Sequence, residues 1–193
     1  MAAPLFTSTT SGIRIWASPC AALGVPPRSS ATFAKFSSTR TRCSRDFEEI
    51  IETPFPPARV FAAFADPAAK KRWFVGPENW DKSDYRLDFR VGGEETTSGG
   101  AEGGPLHKYW ATIRDIVPDR RIVSTYEMAM DDTRTSVSVA TVELMAEGNG
   151  TRLIFTEQGA YFDGLDKPEW REQGTRDLFD KLGAALARET ASA

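Results

Sequence analysis

Thiol and imidazole side chains are almost missing from the chain. Its 193 residues include one histidine, His107, and two cysteines, Cys20 and Cys43, both before residue 46. From residue 46 onward a disulfide and a catalytic thiol are therefore excluded, and a metal site of converging His and Cys ligands has nothing to draw on. Neither a metal nor another cofactor is expected. Long apolar runs are also missing; none approaches the roughly 20 residues that a membrane-spanning helix needs, so membrane insertion is not expected. The glycines of 92–104 lack the Lys-Ser/Thr pair of a phosphate-binding loop, no G-x-S-x-G elbow occurs, and no dinucleotide fingerprint opens a helix.

Acid is the other absence, and it is local. Residues 1–45 hold six of the 24 basic residues and none of the 27 acidic ones, which leaves 46–193 with a net charge of −9. An acidic body without a basic stripe gains no counterion partner from nucleic acid, which is excluded as a ligand, or from an anionic membrane. The first 45 residues, rich in Ser, Thr, Ala and Pro, have the composition of a disordered tail or of an organellar presequence. The location expected is cytoplasmic in the first case and mitochondrial in the second. A miscalled start codon would give the same pattern. The domain proper is expected over 46–190.

What is present reads as an α+β order. "DFEEIIET" (46–53) suits an opening strand. Prolines then introduce "PARVFAAFA", where Val60, Phe61 and Phe64 recur at helical spacing, and Asp66-Pro67 separates it from a second short helix. Alternation predicts strands over 84–91, 107–116, 122–130, 135–145 and 151–158, with a short edge strand after Gly92-Gly93. "EGNG" (147–150) suits a hairpin turn with positive φ. Residues 167–189 form a helix, with Trp170, Gly174, Leu178, Leu182, Ala185 and Leu186 expected near one stripe and Asp166 as its cap. Consecutive strands joined by short turns make an antiparallel sheet of about six to seven strands, and the long helix is the element able to cover one face.

The pieces "PARVFAAFADPAAKKRWF" (57–74), "RVGG" (90–93), "IVPDRRIVSTYEM" (116–128) and "GNGTRLIFTEQG" (148–159), in that order, carry a resemblance. The chain resembles the START-like, or SRPBCC, superfamily, in the branch of homologues of the activator of the 90-kDa heat-shock-protein ATPase. The resemblance implies a helix-grip fold: a curved antiparallel sheet wrapped on the C-terminal helix, two short helices after the first strand, and a cavity between sheet and helix. It implies an apolar or amphipathic small molecule as the partner. Trp73, Trp80, Tyr85, Phe89, Tyr109, Tyr126, Met128, Phe162 and Trp170 are the side chains suited to line such a cavity, although ordinary core packing would use the same stripe.

For chemistry, alternation leaves His107 and Glu157 as candidates. A carboxyl in apolar surroundings has a raised pKa and can move protons, with the histidine as its partner. The plainer expectation is an exposed His107 at a strand start and a buried Glu157 that serves the fold by pairing with an arginine or the backbone. Three functions compete: a ligand-binding domain without catalysis, a cyclase or hydratase of polyketide-like compounds, and a co-chaperone. The full co-chaperone has a further N-terminal domain where only 45 residues stand here, which weighs against the third. The convex sheet face and strand edges leave room for a homodimer.

Overall fold

The computed structural model describes residues 14–16, 43–74, 76, 80–82 and 85–191. Most of the expected tail, including Cys20, lies outside the described residues. Strand β1 (Arg14–Trp16) nevertheless belongs to the sheet, pairing with β2 (Cys43–Thr53). The strand expected from 46 thus begins at Cys43, and the sheet takes in one of the two cysteines.

Helices α1 (Pro57–Ala65) and α2 (Pro67–Lys71) follow β2. Pro56 and Pro57 start α1 at positions where a missing N–H costs nothing. Asp66 ends it and caps α2, its Oδ1 accepting from Ala69 N at 2.6 Å. Val60, Ala63 and Phe64 face inward, and the Trp73 indole donates to Ala63 O at 2.9 Å, folding the exit of α2 back onto α1.

The sheet then continues through β3 (Trp80–Lys82), β4 (Arg86–Leu87), β5 (Glu94–Ala101), β6 (His107–Val117), β7 (Arg121–Met130), β8 (Thr133–Glu147) and β9 (Gly150–Tyr161). Its order is β1-β2-β9-β8-β7-β6-β5-β3, antiparallel throughout, with β4 also on β5. Because side chains alternate, register decides the inner face. Phe47, Glu157, Ala140, Ser124 and Ile113 form one cross-sheet row, and Gly159, Ser138, Tyr126, Ala111 and Glu95 form the next. Helix α3 (Pro168–Ala191) lies on this face, burying Phe179, Leu182, Ala185 and Leu186 against Ile51, Val60, Val142, Leu144 and Leu153. This is the helix-grip arrangement.

Three local expectations differ from the structure. The strand expected over 84–91 shrinks to Arg86–Leu87 and leaves Val91 exposed, because the chain turns at Asp88. Arg90 N bonds to Asp88 O and Gly93 N to Arg90 O, and a Cβ on Gly93 would lie 2.0 Å from Asp88 O. The last strand runs on to Tyr161, so Glu157 sits mid-strand, flanked by Phe47 and Ala140. Gly159 permits this course, for a side chain there would meet the Tyr161 ring at 3.0 Å. Finally, Trp170 is 59% exposed, and the inward stripe of α3 runs through Thr175, Phe179 and Leu182. Eleven residues make almost three whole turns at 3.6 per turn, so the residue that shares the face of Leu182 is Arg171.

Core packing supplies a direct test. Leu153 is 1% exposed on the inner face, whereas Met145, on the neighbouring strand, is 54% exposed. Leu153→Ala is expected to lower the unfolding free energy by about 3 kcal/mol in urea titration. Met145→Ala is expected to change it by no more than about 0.5 kcal/mol.

Candidate ligand cavity

Between the sheet's inner face and α3 lies a cavity of about 1430 Å³, with α2 and the residues after it on one side. Its apolar wall is largely aromatic. Phe74 and Tyr109 meet edge to face at 5.2 Å, Tyr109 and Tyr126 tilt together at 5.2 Å, and Phe155 meets Phe179 at 5.3 Å. Such pairs add to burial through the ring quadrupole. Met128 and Ala140 complete the floor.

Polar groups gather in two places. On β5, Glu95 is 4% exposed. Its Oε2 accepts from Lys70 Nζ of α2 at 2.7 Å and from the Tyr109 hydroxyl at 3.5 Å, and its Oε1 accepts from the Tyr85 hydroxyl at 2.7 Å. Lys70 Nζ also stands 4.9 Å from the centre of the Phe74 ring. Burial first, and the neighbouring Glu95 carboxylate second, push the Tyr85 and Tyr109 hydroxyls well above the ordinary phenol range. Both tyrosines therefore act as hydrogen-bond donors.

The second cluster centres on Glu157, 1% exposed on β9. Its Oε1 accepts from the Ser138 hydroxyl at 2.9 Å, from the Tyr161 hydroxyl at 3.4 Å and from Arg171 Nη1 at 3.4 Å. Arg171 Nη1 also donates to the Tyr126 hydroxyl at 2.7 Å, and Nη2 donates to Ser136 Oγ at 2.9 Å and to Asp166 Oδ2. Asp166, the expected helix cap, accepts from Lys167 N as well. Burial raises the Glu157 carboxyl above its ordinary range, and the Arg171 charge and the Tyr126, Ser138 and Tyr161 hydroxyls offset this only in part. Burial also opposes the Arg171 charge, but the surrounding oxygens of Tyr126, Glu157 and Asp166 outweigh it and hold the guanidinium protonated. Among the described residues, none hydrogen-bonds to Glu157 Oε2.

Of the side chains picked out from sequence, Trp73, Trp80, Tyr85, Tyr109, Tyr126, Met128, Trp170, His107 and Glu157 line the cavity. Phe89 and Phe162 do not; Phe89 packs on Phe61 with ring centres 5.7 Å apart. Trp170 stands at the mouth, with Lys167 Nζ 4.7 Å from its ring centre. His107 and Glu157 are not brought together. Glu157 aligns through Ala140 and Ser124 with Ile113 on β6, six residues along from His107 and three strands away. His107 instead stacks on Trp80 at 4.5 Å.

Sequence reasoning missed Glu95, Lys70 and Arg171. The alternation Glu95, Thr97, Gly99 carried a weak signal for the first, masked by the glycines around it. Arg171 was hidden by the habit of assigning arginine to solvent. Among the described residues no group of three His, Cys, Asp or Glu is placed to hold a metal ion, and no helix is long and apolar enough to cross a membrane.

Fold and cavity together define a helix-grip domain of the START-like class. The chain belongs to the family described as "Activator of Hsp90 ATPase homolog 1-like protein", which matches residues 54–187. A solved structure of a protein from Rhizobium leguminosarum is 40% identical, with 78% of this chain and 99% of that one covered and a TM-score of 0.74. The Mll3558 protein of Rhizobium loti is 43% identical, covering 77% and 99%, at a TM-score of 0.67. An AHSA1-like protein of Aeromonas hydrophila, 19% identical over 78% and 94% of the two chains at a TM-score of 0.52, shares the fold. No curated protein matches the chain.

The raised Glu157 carboxyl predicts a pH signature. Between its ordinary value of 4.5 and its higher folded value, the folded state keeps a proton that the unfolded state has lost. That contribution to stability is complete below 4.5 and disappears as pH rises through the folded value. In Glu157→Gln it is absent at every pH. Glu49 and Asp180, raised in the same sense by burial, remain in both proteins and cancel. Urea titrations across pH are expected to show wild type losing stability relative to the variant as pH rises from 4.5. The opposite slope would mean that Arg171 outweighs burial.

Proposed function

We propose that this domain binds an apolar or amphipathic small molecule in the cavity between the sheet and α3. The observation that carries the proposal is the cavity itself: about 1430 Å³ behind an aromatic wall, with its buried polar groups gathered into two clusters. Ligand sites commonly have about 300–1,000 Å³, a mostly apolar lining and a few placed polar groups, and this one is at the roomy end. The two clusters also explain why the space is not filled by collapse. The Lys70–Glu95 pair props α2 against β5, and Arg171 props the start of α3 against β7, β8 and β9. Each prop sets a spacing that apolar side chains alone would shorten.

An enzymatic reading would use the same Glu157 carboxyl, which has Tyr126, Ser138 and Arg171 beside it but not His107. Without that base, binding is the better supported function. The ATPase activation named in the family's description is a separate proposal, tested by affinity for the chaperone at micromolar concentration.

Native mass spectrometry of the protein from its own source, followed by thermal shifts against apolar and aromatic metabolites, tests the binding function. A co-purified or stabilising apolar ligand is the expected result; no bound mass and no shift would end the proposal. Ser124 lines the cavity floor between Ile113 and Ala140. Ser124→Phe should reduce affinity for any such ligand by about tenfold or more, while circular dichroism stays that of wild type.

A further inference from the structure

The charge of the cavity lining runs against the charge of the protein, and this bears on the ligand, granted the binding function proposed above. Residues 46–193 carry a net charge of −9. Among the described residues, the lining nevertheless has seven lysines and arginines against four acids, so a positive surface is set in an acidic body. The excess is uneven. Inside, each cation stands against a carboxylate, Lys70 against Glu95 at 2.7 Å and Arg171 against Asp166 and Glu157. Lys108 is paired with the exposed Asp132 at 3.1 Å. Where the described lining reaches solvent, the remaining cations are Lys71, Arg72, Lys181 and Arg188, and the acid is Asp177, which accepts from Gln173 Nε2 at 2.9 Å.

Packing brings these four cations to one opening. Trp73, next to Arg72, belongs to the same core cluster as Phe179, Leu182 and Ala185, which sets the exit of α2 beside the second half of α3. Lys181 Nζ crosses to that exit and donates to Gly76 O at 3.3 Å. Arg188 follows Lys181 by almost two whole turns and so shares its face of α3. Charges of one sign around a cleft with apolar walls focus the field and concentrate the opposite charge there. We propose that the cavity takes anionic amphiphiles and holds them tail first, the apolar body against the rings of Phe74, Tyr109, Tyr126 and Phe155 and the anionic end at Lys71, Arg72, Lys181 and Arg188. Carried inside, that end would lose its water beside the carboxylates of Glu95 and Glu157. At the opening it keeps water on one side and meets cations on the other.

Calorimetric titration of the full chain with decanoate, decan-1-ol and decylamine, one chain length with three end groups, tests the proposal. Exposed ion pairs are individually weak, so the effect expected is that of four together. In about 0.05 M salt decanoate should bind about tenfold more tightly than the alcohol, and the amine more weakly than either. Raising the salt to about 0.5 M shortens the screening length and should cut the lead of decanoate to about twofold. The double variant Lys71→Gln/Lys181→Gln should reduce that lead by about threefold or more in the dilute buffer.

Binding of none of the three probes would count against the cavity as a ligand site, and the preference for anions would fall with it. Decan-1-ol or decylamine binding as tightly as decanoate would overturn the preference while leaving the binding function standing. A lead of decanoate that survives in the double variant would place the anionic end elsewhere and overturn the proposal too. Should that variant not fold, the salt comparison on wild type decides, and a lead insensitive to salt overturns it. Phosphatidylglycerol vesicles separate a free amphiphile from a lipid surface. Co-sedimentation with them, without any preference for decanoate in solution, would assign the cations to a membrane and end the proposal.

Discussion

The cavity depends on a buried arginine. Arg171 leaves the first turns of α3 and reaches β7, β8 and β9 at once through Tyr126, Ser136 and Glu157, with Asp166 behind it. Farther along the same helix, Phe179, Leu182 and Leu186 make dry contact with the sheet. One end of α3 is therefore seated by apolar packing and the other by charged hydrogen bonds. The space between sheet and helix is lined by α3 from Trp170 to Arg188. Breaking such a pair by removing one partner leaves a buried charge uncompensated, so the two residues stand or fall together.

The Lys70–Glu95 pair does the corresponding work on the opposite wall. It ties a five-residue helix, too short to hold itself by packing, to an outer strand. Glu95 and Glu157 occupy neighbouring rows of the inner face, with Tyr109 and Tyr126 in ring contact between them. The aromatic wall thus connects the two props. A polar network of this kind sharpens geometry because its hydrogen bonds form in one arrangement only. Glu49 shows the structural version of the same device, paired to Arg176 across β2 and α3 outside the cavity lining.

The family and the fold place a cavity between sheet and helix, but neither says what it holds. Its wall of Phe, Tyr and Met suits nearly any apolar body.

Much of this was determined by sequence alone. Proline pairs at 56–57, alternation from 107 to 157 and the helical run after Pro168 depend on local rules of backbone and burial, so order, class and family were legible. Local rules also set the acid-free first 45 residues apart from the acidic body, whereas the sheet takes in Arg14–Trp16 and Cys43–Arg45. They failed where distance in sequence is closed by tertiary contact. Alternation put Glu157 and His107 on one face, but only register, summed over three strand pairs, sets them apart. Periodicity marked Trp170 as inward because it is apolar, although helical phase gives that place to Arg171. A charged residue enters a core only when partners from other elements meet it there. Those partners, Tyr126, Ser136 and Glu157, lie between 14 and 45 residues away. The cavity was likewise a tertiary decision, since its volume follows from how far two ion pairs hold α2 and α3 from the sheet.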